Sequence, residues 1–405
     1  MGIQMTPHNL PQHWQWIRLG DIAEIIGGTT PSTTNPEYWD GECPWITPAE
    51  INNDSKIIYQ TKRQITQKAV KDKSLKILPI GTILLSSRAP IGKVAIVGSE
   101  MYCNQGFKNL VCDEKKIYNL YLFYFLKGKT TFLNSLGRGT TFKEISKSIV
   151  EQIEIPLPPL EIQREIVEIL ESKLEKITSA KAILESSLKE CETYRLSLLN
   201  DAFNGNLTPH SKDWQWVRLG ECLEKMTTAK LDKDTFSYID IESIDNKTQT
   251  ITTPKTLPTS KAPSRAKREV KEGDTLFSMV RPYLKNIAFV DLEFSHCVAS
   301  TGFYVCRPKS NLLPKYLFFL MISPLVVNGL NQFMRGDNSP SIRSHDLENF
   351  SIPLPPLEIQ REIVEILESK LEKIASAKSL LESSLKECET YRLSLLESAF
   401  KGELV

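Results

Sequence analysis

The groups best placed to do chemistry in this 405-residue chain are polar side chains beside tight turns and glycines, and the chemistry they suit is hydrogen bonding to nucleic-acid edges and phosphates. One set is Arg88, Lys93, Asn104, Gln105, Lys108, Arg138, Thr140, Thr141 and Lys143. A second set is Arg281, Lys285, Ser300, Thr301, Arg335, Asn338, Ser339 and Arg343. Arginine offers a two-donor fork that matches guanine, and asparagine or glutamine pairs with adenine; lysine, serine and threonine serve phosphates as well as bases. Taken singly, each is also an ordinary solvated loop residue. Arg138 and Arg335 gain weight because they stand at matching positions beside a glycine.

Bond-making chemistry has no comparable support. No NPPY-like or DPPY-like motif is present to hold an adenine for methyl transfer, and no GxxxxGK[ST] phosphate loop occurs. Glu171-Ser-Lys173 matches the tail of a nuclease motif but lacks the preceding Pro-Asp and falls inside a helical pattern, where an exposed helix face is expected. Eight scattered cysteines form no CxxC pair, and five histidines form no ligand cluster. The expectation is a non-enzyme with no metal or cofactor of its own and with reduced cysteines acting as small core residues.

The elements that must position the two sets are legible because the chain says everything twice. Segment 155–200 recurs at 352–397 with four differences: Thr178/Ala375, Ala182/Ser379, Ile183/Leu380 and Asn200/Glu397. HWQWIRLG at 13–20 is echoed by DWQWVRLG at 213–220. Between these marks the halves diverge, yet GTILLSSRAPIGK (81–93) lies where GDTLFSMVRPYLK (273–285) lies, and NQGF (104–107) where STGF (300–303) lies. LNSLGRG (133–139) likewise parallels LNQFMRG (330–336). The plan reads as residues 1–154, a first variable domain; 155–204, a central helical arm; 205–351, a second variable domain; and 352–405, a C-terminal arm.

Each arm opens with the proline-rich IPLPPLE, which cannot lie inside a helix, and then spaces apolar residues three or four apart among Glu and Lys. That predicts an amphipathic helix of roughly 42 residues, about 60 Å long at about 1.5 Å per residue. Its apolar seam is expected at Leu170, Leu174, Ile177, Leu184 and Leu188, and in the copy at Leu367, Leu371, Ile374, Leu381 and Leu385. Two such stripes predict an intramolecular antiparallel coiled coil. The expected fold class is α+β: two α/β recognition domains joined by two long antiparallel helices in a pseudo-two-fold repeat. Strands are expected at Ile83–Leu85, Val94–Val97, Leu276–Val280 and Ile287–Val290, with buried helices over 118–126 and 316–321.

Charge follows the same division. Residues 1–154 carry net +4, 155–203 net −3, 204–351 net +3 and 352–405 net −3, although the whole chain carries only +1. Basic domains suit DNA and acidic arms suit protein contacts. The basic stretch Lys261–Lys271 reads as a solvated loop or a phosphate track, and Trp14, Trp16, Trp214 and Trp216 as packing at the root of an arm. With neither a signal-peptide pattern nor a membrane-length apolar span, the expected compartment is the cytoplasm.

Duplicated arms carrying IPLPPLEIQREIVEIL, each after a divergent domain with a GTILLSSRAPIGK-type or LFSMVRPYLK-type turn, resemble the specificity subunit of Type I restriction-modification systems. The resemblance covers essentially the whole chain. It implies that each divergent domain reads half of a split DNA target and that the arms set the gap. It also implies docking of two methyltransferase subunits and of translocase-nuclease subunits, which would bring S-adenosylmethionine, ATP and Mg. The alternatives are a specificity subunit serving a combined methylase-nuclease and a coiled-coil adaptor whose end domains bind proteins.

Overall fold

The computed structural model describes residues 10–52, 54–139, 143–208 and 214–405. The chain divides into two compact units, Met1–Ile183 with Ser384–Val405, and Leu184–Ser383. Each unit contains one divergent domain, the start of the arm that follows it, and the end of the other arm.

The two arms are single uninterrupted helices, Leu160–Phe203 and Leu357–Ala399. Pro158-Pro159 and Pro355-Pro356 stop the preceding strand and lack the N–H groups that a further turn would need. Each arm ends at a glycine with positive φ, Gly205 at +78° and Gly402 at +78°, the left-handed residue that closes a helix and is strained for any other side chain. The chain then folds back, with Asn206 N–H donating to Asp201 O at 2.9 Å and Glu403 N–H to Ser398 O at 3.1 Å.

In the first unit, Ile166, Val167, Leu170 and Ile177 of one arm share a core with Leu395, Leu396, Ala399 and Phe400 of the other. Phe400 stacks edge-on against Tyr121 at 5.0 Å, and the Tyr121 hydroxyl donates to Pro156 O at 2.7 Å, just before the first arm begins. Further along that arm, Lys181 meets Glu389 at 3.7 Å. The segments are therefore antiparallel. The second unit repeats the arrangement with exchanged partners: Phe203 lies against Tyr316 at 5.3 Å, and the Tyr316 hydroxyl donates to Pro353 O at 3.1 Å. Leu170 and Leu367 are fully buried, Ile177 and Ile374 nearly so, and Leu174 and Leu371 pack beside them. Burying each such side chain contributes about 1.5–3 kcal/mol. Leu184, Leu188, Leu381 and Leu385 are half-buried.

The repeated Gln explains the constancy of the arm's first turn. Gln163, fully buried, accepts Tyr118 N–H at 2.8 Å and donates to Pro158 O at 2.8 Å and Lys116 O at 3.1 Å. Gln360 makes the matching set with Leu313 N–H, Pro355 O and Asn311 O at 2.8, 2.9 and 3.0 Å. One side chain thereby satisfies three backbone groups that the proline-rich entry and the start of the adjoining helix would otherwise bury unpaired.

The repeated WQW segments pair with the proline-rich ones. Gln15–Arg18 runs antiparallel to Glu154–Leu157, with Trp16 opposite Pro156, and Gln215–Arg218 to Ser351–Leu354, with Trp216 opposite Pro353. Trp14 and Trp214 pack on the cores at the arm roots, whereas Trp216 stays 58% exposed.

Around these roots sit the divergent domains. In the first, five strands order as Ala23–Gly27, Lys108–Cys112, Ile83–Leu85, Val94–Val97 and Ile57–Ile58, beside a smaller sheet of Arg63–Ile65, Trp39–Ile46 and Tyr102–Cys103. In the second, Ile287–Phe289, Thr275–Ser278 and Phe303–Cys306 form the corresponding core. Its satellite sheet orders as Lys255–Pro258, Thr235–Ile239, Val298–Ser300 and Ala266–Glu269. The expected aromatic helices are present as Asn119–Lys127 and Pro314–Ile322. The Lys261–Lys271 stretch, read as a loop, holds the edge strand Ala266–Glu269, because Ala266 and Val270 find apolar burial that the surrounding charges concealed. All eight cysteines are free. Among the described residues no helix is long and apolar enough to cross a membrane, and no group of three or more His, Cys, Asp or Glu could hold a metal ion.

Candidate nucleic-acid interface

In each domain three loops meet at one junction, and the backbone bonds that join them are the same. Ser87 N–H donates to Gly106 O at 2.8 Å, and Ile145 N–H to Ser87 O at 2.9 Å. In the second domain Met279 N–H donates to Gly302 O and Ile342 N–H to Met279 O, both at 3.0 Å. A reciprocal backbone pair closes the third loop: Arg138 with Glu144 at 3.1 and 3.0 Å, Arg335 with Ser341 at 3.0 Å each way. The junction therefore collects the turn after the central strand, the Asn-Gln-Gly or Ser-Thr-Gly loop, and the Arg-Gly loop.

The predicted residues of the first domain fall largely on this junction. Arg88 is exposed and donates from Nε to Glu144 at 2.9 Å; Lys108, mostly buried, donates to the other oxygen of Glu144, also at 2.9 Å. Arg138 and Lys143 are exposed on the third loop. Gln105 is exposed and bonded to the Thr30 hydroxyl, whereas half-buried Asn104 accepts Gly106 N–H at 2.9 Å and shapes its own turn. The Lys93 ammonium is half-buried and occupied by Pro48 O at 3.0 Å, so it serves the scaffold. Thr140 and Thr141 lie outside the described residues.

In the second domain Arg281 and Lys285 both adopt positive φ, +49° and +54°, flanking the turn Pro282–Leu284. Arg281 reaches across to Asn338 O at 2.8 Å and Ser339 Oγ at 3.4 Å, holding the turn to the third loop. Arg335, Asn338, Ser339 and Arg343 are exposed there, and Arg335 faces Asp346 at 3.4 Å. Ser300 is buried and accepts Gly302 N–H at 3.2 Å, a turn-shaping role, while Thr301 bonds by its backbone to Arg265 O at 2.8 Å.

Glu144 was missing from the sequence reading, because a search for basic and amide side chains passes over a carboxylate. Burial pushes its carboxyl up, but the bonds from Lys108 and Arg88 outweigh that and hold it below the ordinary glutamate range. The signal available was its position among cations, between Arg138 and Lys147 and next to Lys143. Glu171 is also not the bare helix face expected of it: it is half-buried, accepting from Lys56 at 2.5 Å and Tyr124 at 3.2 Å, so the nuclease-like triplet is a structural contact.

A family profile described as Type I restriction modification DNA specificity domain matches residues 11–186 and 211–383, one match per half. The chain belongs to this specificity-subunit family. As such a subunit it is a recognition component, not a catalyst. The MjaIX specificity subunit of Methanocaldococcus jannaschii is 38% identical over 231 residues, a match spanning 53% of this chain and about half, 52%, of that relative. The EcoDI specificity subunit of Escherichia coli is 24% identical over an alignment covering 99% of this chain and 90% of its own length. The fold is that of an HsdS subunit. A chain from a structure of type I R-M complex assembly and conformational transition superposes with TM-score 0.79 at 23% identity, covering 98% of this chain and all of that one. HsdS of Thermoanaerobacter tengcongensis gives 0.62 at 22% identity, covering 98% and 99%.

Proposed function

We propose that this specificity subunit reads a split DNA target, one half-site per divergent domain, with the paired arms setting the gap. The observation that supports this reading most strongly is the duplicated three-loop junction. Its backbone bonds match within a few tenths of an ångström, while the exposed side chains differ between the two copies. A fixed frame with exchangeable polar residues is what two readers of different sequences require, since phosphate contacts position and base-edge contacts specify. Arg88, Gln105, Arg138, Lys143, Arg281, Arg335, Asn338, Ser339 and Arg343 are the proposed contact residues of this frame; Lys93, Asn104 and Ser300 support it from within.

The acidic arms would dock two methyltransferase subunits and, for restriction, translocase-nuclease subunits in the cytoplasm. S-adenosylmethionine, ATP and Mg would then belong to those partners. The domain limits at 154, 204 and 351 follow from the same reading. A genome-wide map of methylated adenines in the source cell, with and without the gene, tests it. Loss of one split motif on deletion is the expected result. An unchanged map, together with purified chain whose affinity for duplex DNA shows no decline with salt, would sink it.

A further inference from the structure

The first junction contains a carboxylate where a phosphate-binding surface should avoid one. Glu144 sits among Arg88, Lys108 and Arg138, and any duplex that approaches these cations also approaches its charge. Closing the loop does not account for it. The second domain builds the same reciprocal backbone pair with Ser341 in that place, so the pair forms without a carboxylate at this position; the carboxylate nearby, Asp346, faces Arg335 instead. Ion pairs as exposed as Arg88 with Glu144, 45% and 33%, contribute little.

What the carboxylate does is fix geometry. Its Oε2 takes Arg88 by Nε at 2.9 Å, and among the described residues the two terminal nitrogens of Arg88 make no hydrogen bond. A guanidinium held by Nε keeps its two terminal nitrogens for another partner, and that fork matches O6 and N7 of guanine. The other oxygen takes Lys108 at 2.9 Å, which neutralises the carboxylate from below and keeps it from swinging away. Arg281 contrasts with this: one of its terminal nitrogens is spent on Asn338 O and Ser339 Oγ.

We propose that Glu144 is a positioning residue for specificity, orienting Arg88 toward a guanine in the half-site read by the first domain. This rests on the DNA-reading function proposed above. Methylated-adenine maps from cells carrying the wild-type gene, Glu144→Gln, Arg88→Ala or the double variant, joined to binding of each full-length chain to duplexes carrying the wild-type motif and its single-base variants, test it. Glu144→Gln should lower discrimination at one G·C pair of one half-site by about tenfold or more. The other half-site and the gap should not change. Arg88→Ala should relax the same pair, and the double variant should add nothing further. Glu144→Asp, which keeps the charge, should recover part of the discrimination.

Discrimination that is unchanged in Glu144→Gln, relaxed at a different pair from Arg88→Ala, or additive in the double variant would overturn the proposal. Should Glu144→Gln unfold the first domain, Glu144→Ser, the residue that the second domain tolerates, takes its place; unfolding there too would also overturn it, because the side chain would then be structural. A wild-type gene that yields no split motif removes the DNA-reading function itself, whereas a clear wild-type motif with an indifferent Glu144 removes only this inference.

Discussion

The two divergent domains solve the same construction problem with different chemistry beneath the same backbone. Thr82 and Asp274 occupy matching places: each precedes the central strand, and each accepts an N–H from the neighbouring strand, Val97 at 2.9 Å and Val290 at 2.8 Å. Thr82 is a buried hydroxyl that donates to Pro79 O. Asp274 is a buried carboxylate gripped by Arg307 at 2.8 and 2.9 Å, and the position matching Arg307 in the first domain is Val111. Burial pushes the Asp274 carboxyl up, against the pull of the guanidinium. At the junction the first domain has the ion cluster around Glu144, whereas the second has Ser341 in that place and pairs Arg335 with Asp346. An ion pair is thus a replaceable solution to local geometry in both places, while the backbone frame is not replaced in either.

The largest expected effect is on the buried pair. Asp274→Ala removes the two-point partner of buried Arg307, leaving it the longer contact with Glu269 at 3.8 Å and the Thr227 hydroxyl at 3.3 Å, and should cost about 3–5 kcal/mol, read by urea unfolding of the full chain. The double variant Asp274→Thr with Arg307→Val, which installs the first domain's residues, should cost clearly less. If it costs as much as Asp274→Ala, the two domains are not interchangeable at this place.

Next come the two arm glutamines, where the halves should agree. Gln163→Leu and Gln360→Leu each strand buried backbone groups, at about 1–3 kcal/mol. The losses should match within about 0.5 kcal/mol in thermal or urea unfolding, since the contacts match. A large loss in one copy alone would break the symmetry of the arm roots.

The smallest effect is on pH dependence at the first junction. Glu144 has a depressed folded pKa, so its contribution to stability is complete above the ordinary glutamate pKa of about 4.3 and disappears as pH falls through the lower folded value. Glu144→Gln should therefore flatten the acid limb of a stability-versus-pH curve for the first domain. In the second domain Ser341 holds the matching position and carries no carboxyl, so Ser341→Ala should leave that domain's acid limb as it is. An acid limb unaltered by Glu144→Gln would mean that the ion cluster is not coupled to folding.

Much of this molecule is legible in its sequence because duplication marks what is constant. The doubled IPLPPLEIQ element, the uninterrupted three-and-four spacing and the closing Asn-Gly and Lys-Gly locate both arms to within a few residues. The pairs Ile83–Leu85 with Val94–Val97 and Thr275–Ser278 with Ile287–Phe289 are short apolar runs around turn residues, and they form where expected. The satellite sheets are harder to see, since strands such as Ala266–Glu269 carry charges on one face and bury small residues on the other.

The sequence by itself determined the repeat, the helical arms, the family and the chain segments from which contact residues could come, because these depend on local periodicity and on near-identity between copies. Only the tertiary structure decided which candidates are exposed and which are spent. Lys93 bonds a carbonyl 45 residues away, Arg281 one 57 residues away, and Glu144 joins cations from a turn and a strand elsewhere in the chain. A side chain's availability is set by partners that the fold brings to it, and no spacing rule along the chain records them.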